Sequence, residues 1–154
     1  MLPTVGEQGL TYIAMHKRGN SQTMQQMTDY QDVVAEVKSY FDDFAVKADF
    51  FGIKDWILDP GIGFAKTVEQ NYELIRCLEE MKTVRLSNDN SPRILVGVSR
   101  KSFIYKYLNI SPEDSLPATQ VLHLAALQNG ADILRVHDVA EAVRTRAIYS
   151  LLDN

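Results

Sequence analysis

The sequence of 154 residues has a single cysteine, Cys77, and no long run of apolar residues. One cysteine excludes an intrachain disulfide and a metal cage built from several thiolates. Without a long apolar stretch or a visible signal peptide, we expect a cytoplasmic protein that does not contact membranes. The formal net charge of -4 gives no support for a nucleic-acid partner.

The composition is that of a globular protein. Hydrophobic residues make up 45% and charged residues 23% of the chain, which is ordinary for a protein with a real core. No low-complexity segment or linker divides the sequence. Residues 1–154 are therefore interpreted as one domain.

Four short apolar runs are predicted to be β-strands, and a helical pattern follows each of them. The strands are predicted at residues 11–16, 56–58, 94–99 and 133–137. The longer helices are predicted to span 28–51, to begin at 67, to span 116–128 and to begin at 138, and residues 87–92 form a polar loop. This alternation predicts an α/β fold with a parallel sheet and right-handed crossovers.

Two architectures fit this order of elements. One is an open, doubly wound sheet, and the other is part of a (β/α)8 barrel, also called a TIM barrel. A complete barrel takes about 250 residues and at least roughly 200, so this chain has room for only about half of one.

The second predicted strand leads directly into a candidate site. The apolar run 56–58 is followed by Asp59, and then by a tight turn that contains Gly61 and Gly63 before Lys66. In parallel sheets, ligands bind at the carboxyl ends of strands, so an acid followed by a glycine turn indicates a site. The alternative is that Asp59 only caps an ordinary Asp-Pro-Gly turn.

All four predicted strands end in groups that can do chemistry, and these ends face one rim of a parallel sheet. In chain order they are Met15, His16, Lys17 and Arg18; Asp59, Phe64 and Lys66; Ser99, Arg100, Lys101 and Ser102; and Arg135, His137 and Asp138. One acid among neutral donors suits an amidine-like heterocycle edge. Arginine and histidine suit a phosphate.

Plainer interpretations of single residues stay open. Arg135 could extend along apolar surface or pair with Asp138, and Ser99 could cap a helix that starts at Arg100. A lone histidine such as His137 is more often structural than catalytic. Each of these interpretations is acceptable for a single residue. A shared site is more expected than that all of them hold at the same rim.

Four segments resemble the signature motifs of the dihydropteroate synthase family, in that family's order and spacing. They are residues 15–19, 59–66, 99–102 and 135–138. The resemblance runs from about Thr11 to the end of the chain. It covers the carboxyl-terminal half of the family's pterin-binding TIM barrel, which implies four βα units here.

The resemblance implies a transferase of folate biosynthesis. Members of that family join 6-hydroxymethyl-7,8-dihydropterin pyrophosphate to para-aminobenzoate, which gives 7,8-dihydropteroate and pyrophosphate, and sulfonamides compete with para-aminobenzoate. The displacement is understood to be dissociative and needs no protein nucleophile. Mg²⁺ is the implied cofactor, bound mainly with the substrate pyrophosphate rather than by protein ligands.

The family motifs carry roles over to individual residues. By resemblance, Met15 lines the pterin pocket and Asp59 accepts hydrogen bonds from the aminopyrimidine edge of the pterin. Lys101 donates to the pterin carbonyl and ring nitrogen. Arg135 stacks on the pterin and, with His137, holds the leaving pyrophosphate.

The acceptor pocket and the catalytic roles also follow from the resemblance. Phe64 and Ser102 help to form the para-aminobenzoate pocket, in which Ser102 reaches the carboxylate. Ala65 stands where many family members have glycine. The residues with implied catalytic roles are Lys101, Arg135 and His137.

A half-barrel leaves two strand edges unpaired and an apolar interior face exposed, so association with another copy is expected. Three functions remain in view. The first is dihydropteroate synthase, with this chain as a fragment of it. The second is a pterin-binding module without that chemistry, such as the pterin domain of methyltetrahydrofolate-dependent methyltransferases. The third is an inert, self-associated half-barrel.

Overall fold

The computed structural model describes residues 1–20, 22–86 and 90–153. Four strands form one sheet in the order β1-β2-β3-β4, and all three strand pairs are parallel. Their bounds are Tyr12–Met15 (β1), Trp56–Asp59 (β2), Arg93–Val96 (β3) and Ile133–Leu134 (β4). Sequential order is typical of consecutive βα units of a barrel, whereas a doubly wound sheet reverses its order. The prediction of about half a barrel is therefore confirmed.

Six α-helices lie in the described residues. They are Leu2–Glu7 (α1), Val33–Phe50 (α2), Val68–Arg76 (α3), Ser102–Leu108 (α4), Leu116–Gln128 (α5) and Val139–Leu152 (α6). The predicted bounds of α5 are confirmed. Helix α1 was not predicted, although Pro3 in its first turn is a known start signal.

Some predicted elements are shorter in the structure. Helix α2 was predicted from about residue 28 but begins at Val33, because Asp32 caps it by accepting a hydrogen bond from the Ala35 N–H at 2.9 Å. The strand predicted at 94–99 ends at Val96, and β4 ends at Leu134 rather than at residue 137. Beyond these points the backbone enters the loops of the carboxyl rim.

The core lies between the sheet and the helices. One face of the sheet contributes Leu58, Ile94 and Val96, all fully buried, to a cluster with Phe41 of α2. The Trp56 ring packs edge-to-face on Phe44 with 4.9 Å between ring centres. On the opposite face of β1, half of the Ile13 side chain surface is exposed (50%). The helix-covered face therefore holds the four units together, whereas the other face is exposed at the β1 edge and buried in the two central strands.

Charged side chains join the strands at their amino ends. The Asp55 carboxylate accepts hydrogen bonds from the Thr11 hydroxyl and from the Arg93 guanidinium, the latter at 2.8 Å. The Asp132 carboxylate accepts from the Ile94 N–H at 2.7 Å and from the Lys82 ammonium. This end of the sheet is thus held by paired charges.

Three further predictions concern the polar loop at 87–92, membrane-spanning segments and the number of domains. The predicted polar loop at 87–92 includes residues 87–89, which lie outside the described residues. Within the described ranges, none of the helices is long and apolar enough to cross a membrane. The interpretation of residues 1–154 as one domain stays a prediction.

Candidate functional site at the carboxyl rim

Asp59 ends β2 and lies opposite Met15 of β1 in the strand register. One carboxylate oxygen, Oδ1, accepts a hydrogen bond from the Gly61 N–H at 2.9 Å, so Asp59 does cap the turn. Its second oxygen has no hydrogen bond within the described residues. Burial raises the pKa of Asp59, while the Gly61 N–H and three nearby cations oppose that rise. The acid therefore has a free face beside positive charge.

Lys101 crosses the glycine turn from the third strand end. Its ammonium donates to the Ile62 carbonyl and lies 4.2 Å from the centre of the Phe64 ring. Burial lowers the pKa of Lys101 to about 8, and the charge of Asp59 opposes this change. Gly63 has φ +83°, and a Cβ there would lie 2.7 Å from Lys101 Cδ, so the crossing requires glycine.

Lys66 fastens the same turn from its buried side. Its side chain nitrogen, Nζ, donates to the Gly61 carbonyl at 3.1 Å and the Phe64 carbonyl at 3.0 Å, and lies 3.1 Å from His16 Nδ1. Only 5% of Lys66 is exposed. Burial lowers the pKa of Lys66 to about 7, and burial with the Lys66 charge lowers the pKa of His16 to about 3. The sequence alone leaves open that Lys66 is a solvated surface charge, and its burial shows that this interpretation is wrong.

The third and fourth strand ends meet through an ion pair that the sequence did not predict. The Arg100 guanidinium binds both carboxylate oxygens of Asp138, at 2.7 and 2.9 Å. This pairing lowers the pKa of Asp138. The alternative that Arg135 pairs with Asp138 is wrong, because Arg100 occupies the carboxylate. For the same reason Asp138 precedes α6 without capping it through its side chain.

Arg135 itself is exposed; its backbone N–H donates to the Val96 carbonyl at 2.9 Å, but its guanidinium has no hydrogen bond or ion pair within the part of the chain that the structure describes. Its charge nevertheless reaches Asp59, whose pKa it helps to lower, and Lys101, whose pKa it also lowers. The third and fourth strand ends therefore bring Lys101 and Arg135 to the acid at the end of β2.

Ser99 and His137 are also in contact. The Ser99 hydroxyl accepts from the His137 N–H at 3.3 Å and lies 3.1 Å from His137 Nδ1. Ser99 does not cap a helix at Arg100, because α4 begins at Ser102 with Lys101 before it. His137 is exposed. Its Nδ1 is thus engaged, while Nε2 has no partner within the described residues.

A cavity of about 380 Å³ lies beside the turn. Its lining includes Gly63, Ser102 and Lys106, together with Thr67 at the start of α3. The spacing of Thr67 and Gln70 predicts a capping box at the start of α3, and this is confirmed, since the two residues exchange side chain to backbone hydrogen bonds at 3.3 and 2.9 Å. The rigid helix start therefore forms one wall of the cavity.

The described residues do not include a group of three or more histidine, cysteine, aspartate or glutamate side chains that could hold a metal ion. The rim instead offers one acid and several cations. This set of side chains suits an anion with a heterocycle attached better than it suits a bare cation.

The rim geometry, on consecutive parallel βα units, defines a ligand-binding α/β protein of the barrel class. Residues 1–137 match the family model described as "Pterin binding enzyme", and the chain belongs to that family. The resemblance drawn from the four motifs is therefore confirmed, and the match begins at residue 1 rather than near Thr11.

The chain is similar to named dihydropteroate synthases. It is 46% identical over 130 residues to that of Synechocystis sp., covering 82% of this chain and 43% of the relative. It is 38% identical over 149 residues to that of Escherichia coli strain K12, covering 96% and 51%. The chain thus spans about half the length of these curated relatives.

Solved structures agree with this similarity. Dihydropteroate synthase from Thermus thermophilus superposes with a TM-score of 0.90 at 31% identity, covering 100% of this chain and 60% of that chain. The same enzyme in complex with 6HMPPP gives 0.90 at 31% identity, covering 99% and 59%. Its complex with 4-aminobenzoate gives 0.89 at 32% identity, covering 99% and 58%.

Proposed function

We propose that this chain carries the pterin-binding and acceptor-binding strand ends of a dihydropteroate synthase. In the proposed reaction, the amino nitrogen of para-aminobenzoate (4-aminobenzoate) forms a bond to the methylene carbon of 6-hydroxymethyl-7,8-dihydropterin pyrophosphate. The carbon–oxygen bond to pyrophosphate breaks, and the nitrogen loses one proton. The observation that carries the proposal is Asp59, a half-buried carboxylate with one oxygen free of hydrogen bonds in the described residues and cations beside it.

The pterin end of the proposed site is formed by β1, β2 and the third strand end. The free oxygen of Asp59 would accept hydrogen bonds from the aminopyrimidine edge, and Met15 beside it would line the pocket. The Lys101 ammonium would donate to the pterin carbonyl and ring nitrogen. Burial around the acid strengthens such charge-assisted hydrogen bonds.

The pyrophosphate end of the proposed site lies after β4. Arg135 is exposed and unpaired among the described residues, so its planar guanidinium is available for two phosphate oxygens. His137, with Nδ1 engaged by Ser99, would offer Nε2 to a third oxygen. The Arg135 charge would neutralise the leaving group as its negative charge develops.

The acceptor end uses the turn and the start of α4. Phe64 would pack on the aromatic ring of para-aminobenzoate, and the Ser102 hydroxyl at the rim of the 380 Å³ cavity would reach its carboxylate. The named relatives are dihydropteroate synthases, and their similarity favours this acceptor over methyl transfer to another protein.

Mg²⁺ is part of the proposal as an ion that arrives with the pyrophosphate. The described side chains do not form a metal cage, so they do not fit a resident ion. Mg²⁺ commonly binds through substrate phosphates with few protein ligands. The cytoplasmic location stays a prediction.

Calorimetric titration tests the proposal. We expect saturable binding of 6-hydroxymethyl-7,8-dihydropterin pyrophosphate with Mg²⁺, and we expect Asp59→Asn to weaken it by roughly 2–4 kcal/mol, because charge-assisted hydrogen bonds are lost. Asp43→Asn, an exposed acid on α2, is the matched control and should bind normally. Equal affinity of a folded Asp59→Asn variant and the parent chain would reject the pterin site.

A pterin-binding module without synthase activity is the second candidate. The chain aligns with 43% and 51% of the two relatives, so any site residue in the rest of those relatives has no counterpart among residues 1–154. Conversion of labelled para-aminobenzoate to dihydropteroate by this chain would exclude this candidate. Binding without turnover would support it.

We also propose that the chain forms a homo-oligomer. Within the described residues β1 pairs only with β2 and β4 only with β3, and a groove of about 540 Å³ beside β4 is lined by apolar side chains such as Leu134 and Val143. Two copies that pair β4 with β1 of the other copy would close eight strands and cover these faces. A monomer mass by light scattering, unchanged in Val143→Glu, would contradict this.

A further inference from the structure

We propose that Lys66 is a positioning residue that acts with His16 to hold the Phe64 end of the glycine turn and thereby sets the affinity for the aromatic amine acceptor. This inference rests on the proposed function. Lys66 is among the residues that line the 380 Å³ cavity, but its ammonium would not donate to either substrate, because its three N–H groups already have partners in the protein.

The hydrogen bonds of Lys66 account for its burial. The three contacts of Nζ, to two carbonyls and to His16 Nδ1, match the three N–H groups of an ammonium. No carboxylate lies within ion-pair distance of Lys66 in the described residues. Burial of an ammonium without an ion-pair partner is costly, and methionine would fill similar space without that cost. The hydrogen bonds to the turn and to His16 therefore explain why a lysine occupies this position.

His16 is itself held in place, so it can serve as an anchor. Its backbone N–H donates to the Asp59 carbonyl at 2.9 Å, which extends the pairing of β1 with β2. Its ring packs edge-to-face on Tyr40 at 5.1 Å and tilted against Tyr30 at 6.2 Å between ring centres. Lys66 thus connects the turn to a fixed point on the neighbouring strand.

The two ends of the turn depend on Lys66 to different degrees. At the first end, Lys66 donates to the Gly61 carbonyl, but Asp59 also binds the Gly61 N–H directly, so this end keeps a hydrogen bond that does not involve Lys66. At the second end, the Phe64 carbonyl accepts from Lys66, and the Phe64 ring lies against the Lys101 ammonium. Loss of Lys66 should therefore displace the acceptor wall more than the pterin acid.

The first test compares Lys66→Met with Lys47→Met, a change at an exposed lysine of α2. Calorimetry measures pterin pyrophosphate binding, and then 4-aminobenzoate binding in the presence of 6-hydroxymethylpterin and pyrophosphate, which cannot react. We expect Lys66→Met to weaken 4-aminobenzoate binding at least tenfold and pterin binding less than threefold. Lys47→Met should change neither. Equal losses for both ligands, or no loss, would overturn the proposal.

A second pair of variants keeps the test decisive if Lys66→Met does not fold. His16→Asn retains an acceptor atom close to the position of Nδ1, whereas His16→Leu removes it. We expect His16→Leu to lose 4-aminobenzoate affinity selectively and His16→Asn to retain it within about threefold. The same affinity in both His16 variants would contradict the role of His16 as the anchor.

Failure of the proposed function can be distinguished from failure of the positioning role. If the parent chain binds neither ligand, the proposed function fails, and the positioning role is then measured by amide hydrogen exchange without ligand. The Gly63 and Phe64 amides, which bond to Asn71 and to Gly61, should exchange at least tenfold faster in Lys66→Met than in the parent. The Val96 amide should be unaffected. Unchanged exchange in the turn would overturn the positioning role on its own.

Discussion

The two ends of the sheet differ in how many of their charged side chains are paired with acids. At the amino ends, Asp55 pairs with Arg93 and Asp132 with Lys82. At the carboxyl ends, Arg100 pairs with Asp138, but Lys66 and Lys101 donate to backbone carbonyls rather than to acids. The amino end uses its charges to join strands. The carboxyl end leaves charge available, as expected where a ligand completes the pairing.

Strained backbone conformations also distinguish the two ends of the sheet. Ala65 and Arg100 adopt positive φ values of 53° and 51°, and both lie in carboxyl-end loops. Asn109, at φ 54°, ends α4 in the conformation usual for a helix cap. Left-handed backbone at residues other than glycine costs free energy that surrounding structure must offset. The rim is therefore the less relaxed end of the sheet.

The largest expected effect is the loss of stability at low pH, which acts on His16 at the carboxyl end. The pKa of buried His16 is lowered to about 3 from 6.5, so between these pH values the unfolded chain binds a proton that the folded chain does not. The free energy of unfolding should therefore fall as pH falls through this window, by up to several kcal/mol at about 1.4 kcal/mol per pKa unit. His16→Asn should flatten this decrease in urea unfolding at pH 7 and pH 4.

One opposing group has to be considered in that measurement. The pKa of Asp59 is raised, so its protonation favours the folded chain as pH falls, but Asp59 is present in both proteins. The comparison of the parent with His16→Asn therefore isolates the histidine. Parallel pH dependences would show that the neutral, buried His16 does not limit stability in acid.

A matched pair of arginines separates binding from stability. Arg135→Met should weaken pyrophosphate binding by about 1.5–3 kcal/mol, because hydrogen bonds to a charged group are lost, and should leave the free energy of unfolding unchanged. Arg93→Met should leave binding unchanged and lower stability by less than about 1 kcal/mol, because its pair with Asp55 is half-exposed. Calorimetry and urea unfolding of both variants check this. If Arg135→Met lowered stability and Arg93→Met weakened pyrophosphate binding, the assignment of binding to the carboxyl end would be wrong.

Asp132 tests the amino end alone. Asp132→Ala removes the acceptor of the Ile94 N–H and of Lys82, and should lower the free energy of unfolding by about 1–2 kcal/mol. Asp43→Ala, at an exposed acid, should have little effect on stability. Pterin affinity should be the same in both variants, since neither lies at the rim. Reduced affinity in Asp132→Ala would mean that the two ends are coupled.

The smallest expected effect concerns strain. Ala65→Gly deletes a fully buried methyl group but relieves a positive φ, so stability should stay within about 1 kcal/mol of the parent. Ala48→Gly deletes an equally buried methyl group inside α2 and should cost about 2 kcal/mol. Urea unfolding of both variants is the measurement. Equal losses would mean that Ala65 is not strained.

Local patterns in the sequence predicted most of the fold. Local signals were sufficient to give the bounds of α5 and the Thr67–Gln70 capping box at the start of α3, whereas α2 begins later than predicted. Strand lengths were less predictable, because β3 and β4 end where their mutual hydrogen bonds end, not where strand-forming residues end. Pairing partners in a sheet are not part of a local pattern.

In the candidate site, too, local sequence patterns predicted which residues take part but not how they contact one another. The strand-end residues could be named from the sequence, because parallel strands bring their carboxyl ends to one rim. The contacts among them could not, since His16 and Lys66 are 50 residues apart, and Arg100 and Asp138 are 38 apart. Arg100 binds Asp138 because register and loop geometry bring it closer than Arg135.

The sequential strand order also gives the chain a modular character. Under the proposed assignment, the first three βα units supply the groups that recognise the heterocycle and the acceptor. The fourth alone supplies Arg135 and His137 for the leaving group. Exchange of that last unit by recombination should therefore alter the leaving group that is accepted, while the hydrogen-bonding preference for the edge of the heterocycle, which Asp59 and Lys101 set, stays the same.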